Sequence, residues 1–493
     1  MSHYQQLEQH YRKLSRFAHL GAICGWDQAA MMPAGGAQAR QEAMAELAVL
    51  MHQLATAPEL AERFAAAEQE QLSQGQRASL AAMQRDWQQQ TLLPEKLVAA
   101  KSLAGSKCEH AWRSQRPAND WSGFLANWRE VVALSREEAQ LRAAAQGCSP
   151  YDAMVDLYEP GMSSAQLDDI FGQVKRWLPS MIDQAVAKQA NQALVQPSGH
   201  YPASEQKALG TAVMQLLQFD FTHGRLDEST HPFCGGVPTD VRMTTRYSEQ
   251  EFVQSLMGIV HETGHGRYEQ GLPQQWAGLP VGRARSMGIH ESQSLFFEMQ
   301  LGRSPEFIAH LAQLAQQHFS QFDPQLFSVA NLQGLYSQVQ KGYIRVDADE
   351  LTYPAHVMLR YEIERDLING QIEPEQVPEL WDHKMQQYLG LSTAGNDRQG
   401  CMQDIHWTDG AFGYFPSYSL GAMYAAQFMA SIRQQLPVSE LVAKGELGPI
   451  FAWLADNIWS QASLHSTSEL VIRATGQDLN PEYLRQHLQQ RYL

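Results

Sequence analysis

The chain has 493 residues and a formal net charge of −16 at neutral pH, which disfavours nucleic acid and anionic membrane as partners. This length exceeds what one compact core usually supports, so we expect one domain, residues 1–493, built from two lobes. Five widely spaced cysteines, no long apolar run and no N-terminal signal pattern predict a soluble, cytoplasmic protein without a disulfide framework or a Cys-ligated metal.

Helical periodicity dominates the first half of the chain. Apolar residues recur at helical spacing within residues 4–18, 43–54 and 124–132. Residues 191–204 contain proline, glycine and asparagine at close intervals, so they form a loop that could separate the two lobes. The chain is therefore predicted to be mostly α-helical.

One stretch, residues 231–247, interrupts the helical pattern. Val241, Met243 and Thr245 alternate with polar residues, and two glycines and Pro238 precede them. This pattern predicts a short strand or hairpin. A strand edge beside an active site can pair with an extended peptide, although a purely structural ribbon fits the same residues.

A His-Glu-x-x-His pattern follows at His261, Glu262 and His265. Two histidines at this spacing on a helix lie about 6 Å apart along its axis and on one side, so both can bind one metal ion. Glu262 is placed to take a proton from a water at that metal, as in zinc hydrolases. The preceding apolar run indicates a buried helix, which Ser248 and Glu251 would start as a capping box. The alternative is two surface histidines and a solvated glutamate.

A metal site of this kind needs a third protein ligand. The best candidate is Glu291, which lies 26 residues after His265 on the next predicted helix. The connecting segment, residues 271–285, is rich in glycine and proline and can turn that helix back against the first. His290 is the rival ligand, but two histidines and one glutamate form a well-attested catalytic zinc set.

Three polar clusters follow, at residues 344–353, 400–407 and 413–418. A metallopeptidase needs hydrogen-bond donors for the oxyanion that forms at the scissile carbonyl, and tyrosine and histidine suit that role. An enzyme that acts at a C-terminus also needs a cation for the free carboxylate, for which arginine is suited. The ordinary alternatives are a salt bridge from Arg345 to Asp347 or Asp349 and a core position for Tyr418.

Together these residues resemble the carboxypeptidase Taq family of metallocarboxypeptidases, and the resemblance covers essentially the whole chain. The motifs that carry it are His231-Pro232-Phe233, Asp240-x-Arg242-x-Thr244, His261-Glu262-x-x-His265, His290-Glu291-Ser292-Gln293, Ile344-Arg345-x-x-Ala348-Asp349 and Gly400-x-x-Gln403-Asp404-x-His406-Trp407.

The resemblance implies a broad-specificity carboxypeptidase that removes residues one at a time from peptides with a free C-terminus. It implies a mostly helical, two-lobed fold with a deep central groove and a small β-sheet beside the metal. That fold is shared with angiotensin-converting-enzyme-like and neurolysin-like peptidases. The family also implies Zn²⁺ as the cofactor, with Co²⁺ able to replace it, and a homodimer.

By the same resemblance, His261, His265 and Glu291 are the metal ligands and Glu262 is the catalytic base.

The segment from residue 406 to residue 428 also resembles the matching part of angiotensin-converting-enzyme-like carboxypeptidases. That similarity implies that His406 and Tyr418 stabilise the tetrahedral intermediate and that His231 contacts the substrate backbone. Arg345 is the expected anchor for the substrate carboxylate, and Arg398 is the competitor for that role.

Two other hypotheses stay open. An endo-oligopeptidase of the same fold would share the metal site but need no carboxylate anchor. A non-catalytic helical scaffold with a structural metal would have four protein ligands and no use for Glu262.

Overall fold

The computed structural model of the protein describes residues 1–230 and 233–493. The helices that precede the sheet are α1 (His3–Ala30), α2 (Ala37–Ala55), α3 (Glu59–Ala67), α4 (Gln74–Thr91), α5 (Glu95–Gln115), α6 (Trp121–Gln146), α7 (Pro150–Val155), α8 (Ser164–Lys175), α9 (Leu178–Gln189) and α10 (Ala203–Leu216). The three predicted apolar stretches lie in α1, α2 and α6, and the predicted loop connects α9 to α10.

A three-stranded sheet follows α10. Its strands are β1 (Gly224–Glu228), β2 (Phe233–Val237) and β3 (Asp240–Thr245), in the spatial order β1-β3-β2. The predicted strand is β3, which pairs antiparallel with β2 and parallel with β1. The parallel strand β1 was not predicted because its sequence, Gly-Arg-Leu-Asp-Glu, has one apolar residue and no alternation.

The second half of the chain returns to helices. They are α11 (Val253–Gly271), α12 (Met287–Leu295), α13 (Pro305–His318), α14 (Val329–Tyr336), α15 (Tyr353–Ile368), α16 (Val377–Leu389), α17 (Pro416–Arg433), α18 (Val438–Lys444), α19 (Gly448–Asn457), α20 (Thr467–Thr475) and α21 (Glu482–Tyr492). A π-helix, Phe296–Gly302, continues directly from α12. None of the described helices is long and apolar enough to cross a membrane.

The buried apolar side chains form one large cluster that extends from α5 to α21 and includes α11, α12 and α17. Two smaller clusters are separate from it: one joins α1, α3 and α4 to Leu279 and Val281, and the other joins Leu226, Val241 and Met243 of the sheet to Ile259 of α11. The prediction of a mostly helical fold with a small sheet is thus confirmed.

The predicted capping box at the start of α11 is wrong. The helix begins at Val253, and Phe252 occupies the N-cap position without a side-chain cap. Ser248 and Glu251 instead form an isolated β-bridge, and the Glu251 carboxylate accepts a hydrogen bond from the backbone N of Gln254 at 2.9 Å. Phe252 is buried in an aromatic cluster, so packing of this ring decides where the helix starts.

Two glycines allow α12 to lie very close to its neighbours. A Cβ atom at Gly264 of α11 would lie 2.5 Å from the backbone oxygen of Gln293 in α12. A Cβ atom at Gly421 of α17 would lie 2.7 Å from the Cβ of Glu291. Both distances are shorter than real Cβ contacts, so glycine at these positions sets the spacing of the three helices around Glu291.

Gly264→Ala should destabilise the protein by about 1–3 kcal/mol, because the added methyl group meets backbone that cannot move independently. Gly258→Ala is the matched control on the same helix, since no atom lies within 4 Å of its Cβ position. Alanine there should be neutral or stabilising by up to about 1 kcal/mol. Urea unfolding midpoints of the two variants measure the difference, and equal midpoints would contradict the packing argument.

Candidate metal centre

Helices α11 and α12 bring together the residues predicted to bind a metal. One ligand atom from each of His261, His265 and Glu291 lies within 4.8 Å of the other two. The Nε2 atom of His265 is 3.7 Å from a carboxylate oxygen of Glu291. The residues predicted from the His-Glu-x-x-His spacing and from the following helix therefore form one group that could hold a metal ion.

A further carboxylate, Glu298, contacts this group from the π-helix. It lies 2.8 Å from Nδ1 of His261 and 2.5 Å from the guanidinium of Arg303. Glu298 is seven residues after Glu291, which on a helix returns to nearly the same face. That spacing is the signal by which sequence reasoning could have found Glu298, and sequence reasoning missed it.

Glu262 lies beside the ligands with one oxygen unused. Its Oε2 atom is buried and has no hydrogen-bond partner among the described residues. Burial raises the pKa of the Glu262 carboxyl. An unpartnered buried carboxylate oxygen is a suitable acceptor for a proton from a water at the metal position.

The structure also brings together the two candidate oxyanion donors. Nε2 of His406 lies 3.2 Å from the hydroxyl of Tyr418. Burial, followed by the charge of Arg345, lowers the pKa of His406 to about 4, so its imidazole is neutral at pH 7. Burial raises the pKa of Tyr418 well above its usual value, which keeps the phenol protonated as a donor.

Arg345 lies against Tyr418, with its guanidinium carbon 5.0 Å from the ring centre. Its Nε atom donates to Asp404 at 3.0 Å and its Nη1 atom donates to the hydroxyl of Tyr353 at 2.6 Å. Asp404 also accepts from Arg360 at 2.7 Å. The salt bridge of Arg345 thus goes to Asp404 and not to Asp347 or Asp349, which sequence reasoning had considered.

Two other described candidates, Arg398 and His290, are not part of the group of converging ligand atoms. The side chain of Arg398 is exposed, and its backbone bonds to Asn119 and Arg116. The ring of His290 is stacked on His265 at 4.5 Å, but its Nε2 lies 2.9 Å from Glu269. His231 lies outside the described residues.

A cavity of about 910 Å³ opens beside the candidate metal centre. His261, Glu298 and Arg303 line one side of it, and Tyr343 and Ile344, directly before Arg345, line another. The volume is sufficient for a small peptide segment.

Known proteins are similar to this chain over nearly its whole length. The sequence model of the carboxypeptidase Taq (M32) metallopeptidase family matches residues 6–492. Thermostable carboxypeptidase 1 of Thermus thermophilus is 36% identical over 99% of this chain and 98% of its own length. The chain belongs to the M32 family.

Solved structures of M32 enzymes agree with this assignment. Metallocarboxypeptidase 1 of Trypanosoma cruzi superposes with a TM-score of 0.97 at 48% identity, covering 99% of each chain. The M32 carboxypeptidase of Deinococcus radiodurans gives a TM-score of 0.93 at 31% identity, again covering 99% of each chain. The family and these relatives are metallocarboxypeptidases, which are peptide hydrolases.

The charges of this M32 chain fit a divalent cation at the centre. Glu262, Glu291 and Glu298 are three largely buried carboxylates, and among the described residues only Glu298 is paired with an arginine. Burial lowers the pKa of His261, but Glu298 and Glu291 raise it by more, to about 9. A positive charge is therefore favoured at this point, and burial keeps the pKa of His265 well below its usual value, as a neutral ligand requires.

Replacing His265 or Glu291 with alanine should abolish stable metal binding, because each would supply one of the three candidate ligand atoms. His290→Ala is the control: it is adjacent to Glu291, but its Nε2 faces Glu269. Metal content measured after dialysis should fall by about tenfold or more in His265→Ala and Glu291→Ala. It should stay near the wild-type value in His290→Ala. The reverse pattern would make His290 the ligand.

Proposed function

We propose that this M32 protein is a broad-specificity carboxypeptidase that removes single residues from the free C-terminus of peptides. The observation that carries the proposal is the position of Arg345, a buried cation that lies against Tyr418 and whose charge lowers the pKa of the Glu291 carboxyl against the raising effect of burial. The proposed ligands are His261, His265 and Glu291, with Zn²⁺ as the metal and Co²⁺ as a substitute.

Glu262 performs the proton transfers in this proposal. Zn²⁺, when bound, would polarise an attacking water and the scissile carbonyl. The free Oε2 of Glu262 accepts the proton of that water and later delivers it to the leaving amine. Burial raises the pKa of this carboxyl, which makes it a better proton acceptor than a solvated glutamate.

His406 and Tyr418 stabilise the charge that develops on the carbonyl oxygen. Both groups are neutral at pH 7, so the imidazole carries one N–H and the phenol one O–H with which to donate a hydrogen bond. Because they are already in contact, the two donors are held in place before the substrate arrives.

Arg345 binds the C-terminal carboxylate of the substrate. Its Nε and Nη1 atoms are committed to Asp404 and Tyr353, whereas Nη2 makes no hydrogen bond with any described residue. We assign this role to Arg345 rather than to Arg398, which makes no comparable contact with Tyr418. His231 is proposed to contact the substrate backbone.

The remaining proposals concern architecture and setting. We infer that residues 1–493 form one peptidase domain with two helical lobes around a deep groove, as in angiotensin-converting-enzyme-like and neurolysin-like peptidases. The protein is proposed to act in the cytoplasm as a homodimer.

The protein should hydrolyse a peptide that has a free C-terminal acid but not the same peptide with a C-terminal amide. The free acid should give a ladder of single-residue losses, because Arg345 recognises a carboxylate, and the amide should remain intact. Mass spectrometry with and without a chelator measures this. Internal cleavage of both forms would support the endo-oligopeptidase, and no cleavage of either by metal-loaded protein would support the scaffold.

Glu262→Gln should lower kcat by at least about 100-fold, because the amide cannot accept the proton of the attacking water. Bound metal should be unchanged, since Glu262 is not one of the three ligands. Metal analysis and hydrolysis of the same sample separate the two effects. Full activity in this variant would remove Glu262 from the mechanism.

A further inference from the structure

Glu298 makes a close side-chain contact to the metal-binding group. One carboxylate oxygen lies 2.8 Å from Nδ1 of His261, and the other lies 2.5 Å from the guanidinium of Arg303. The carboxylate therefore joins a histidine of the metal-binding group to a fixed cation.

This contact determines which nitrogen of His261 can bind a metal. When Glu298 is ionised it can only accept, so Nδ1 carries the proton of the contact. The lone pair of the neutral imidazole then lies on Nε2. Without Glu298, the proton could lie on either nitrogen and the ring could rotate about its side-chain bonds.

We propose that Glu298, held by Arg303, is the positioning residue of this metal centre: it fixes the ring orientation and tautomer of His261 so that Nε2 faces the metal. This inference rests on the proposed metal site, and it adds a residue outside the motifs that suggested the site. Glu298 acts through His261 and does not itself bind the metal.

The local backbone explains how Glu298 reaches His261 from the helical segment that directly follows Glu291. Glu291 is in α12, and Glu298 is in the π-helix that follows it. The wider turn of a π-helix shifts later side chains around the axis, and such segments are common at functional sites. The segment ends at Gly302, so Arg303 follows where the backbone leaves the helix and can turn back to Glu298.

Arg303 is itself fixed on more than one side. Its Nη1 donates to the backbone oxygen of Tyr336 at 2.9 Å. Burial lowers the pKa of Arg303, but Glu298, Tyr492 and Glu350 raise it by more, so the cation is held above its ordinary pKa. Glu350 in turn bonds Arg491 and Tyr492 of α21 at 2.7 and 3.0 Å. The C-terminal helix therefore contributes to the support behind Arg303.

The chain contains a matched control for Glu298. Glu269 of α11 lies 2.9 Å from Nε2 of His290 in α12, which gives a second partly buried glutamate–histidine pair. His290 is not one of the three residues whose ligand atoms converge. Among the described residues, no carboxylate contacts Nδ1 of His265, so the positioning contact is specific to His261.

The test is the affinity of the metal-free protein for Zn²⁺, measured by competition with a chromogenic chelator. Glu298→Gln should weaken Zn²⁺ binding by about 10- to 100-fold, the range found when such supporting carboxylates are removed. Glu298→Asp, which keeps the charge, should recover part of the loss, and Glu269→Gln should bind Zn²⁺ like the wild type. The visible spectrum of the Co²⁺ form should change in Glu298→Gln and not in Glu269→Gln.

Circular dichroism of the metal-free variants separates positioning from folding. If Glu298→Gln does not fold, Arg303→Lys provides the second test, because it keeps the charge but loses the planar guanidinium contacts. A folded Glu298→Gln variant with wild-type Zn²⁺ affinity would overturn the inference. Failure of the wild type to bind Zn²⁺ would instead overturn the proposed function, so the two failures are distinguishable.

Discussion

The close packing of α12 between α11 and α17 is the constraint on which the rest of the site depends. At Gly264 and Gly421 the helices approach to distances that no side chain would allow. This approach carries Glu291 to within reach of both histidines and places it among largely buried carboxylates. Charges placed in such an interior are costly unless they are compensated, so the packing that forms the site also creates its demand for a cation.

The parts of this arrangement that are local in sequence could be predicted. Two histidines four residues apart on a buried helix define their own geometry, and the alternation at Val241, Met243 and Thr245 is enough to identify a strand. The mostly helical fold follows from periodicity repeated along the chain. The family resemblance added roles for His406 and Tyr418, and the structure places these two side chains in contact.

The parts that depend on partners far away in sequence could not be predicted. Arg345 has two acidic residues within four positions, yet its partner is Asp404, because the 3-10 turn at Arg345–Asp347 directs the guanidinium into the core. The parallel strand β1 gains its stability from pairing with β3, which its own residues do not reveal. The start of α11 was misplaced for a similar reason, since the burial of Phe252 outweighs the local capping signal.

The network around Asp404 bears on the carboxylate-binding role proposed for Arg345. This one carboxylate, which is almost fully buried, bonds to the two buried guanidinium groups of Arg345 and Arg360. Within this trio the positive charges outnumber the negative by one, so an arriving anion restores electroneutrality in a place where solvent cannot. Every peptide with a free C-terminus brings the same anion whatever its last side chain. If Arg345 binds the substrate carboxylate as proposed, this shortage of one negative charge would favour the free C-terminus of a peptide whatever its last residue.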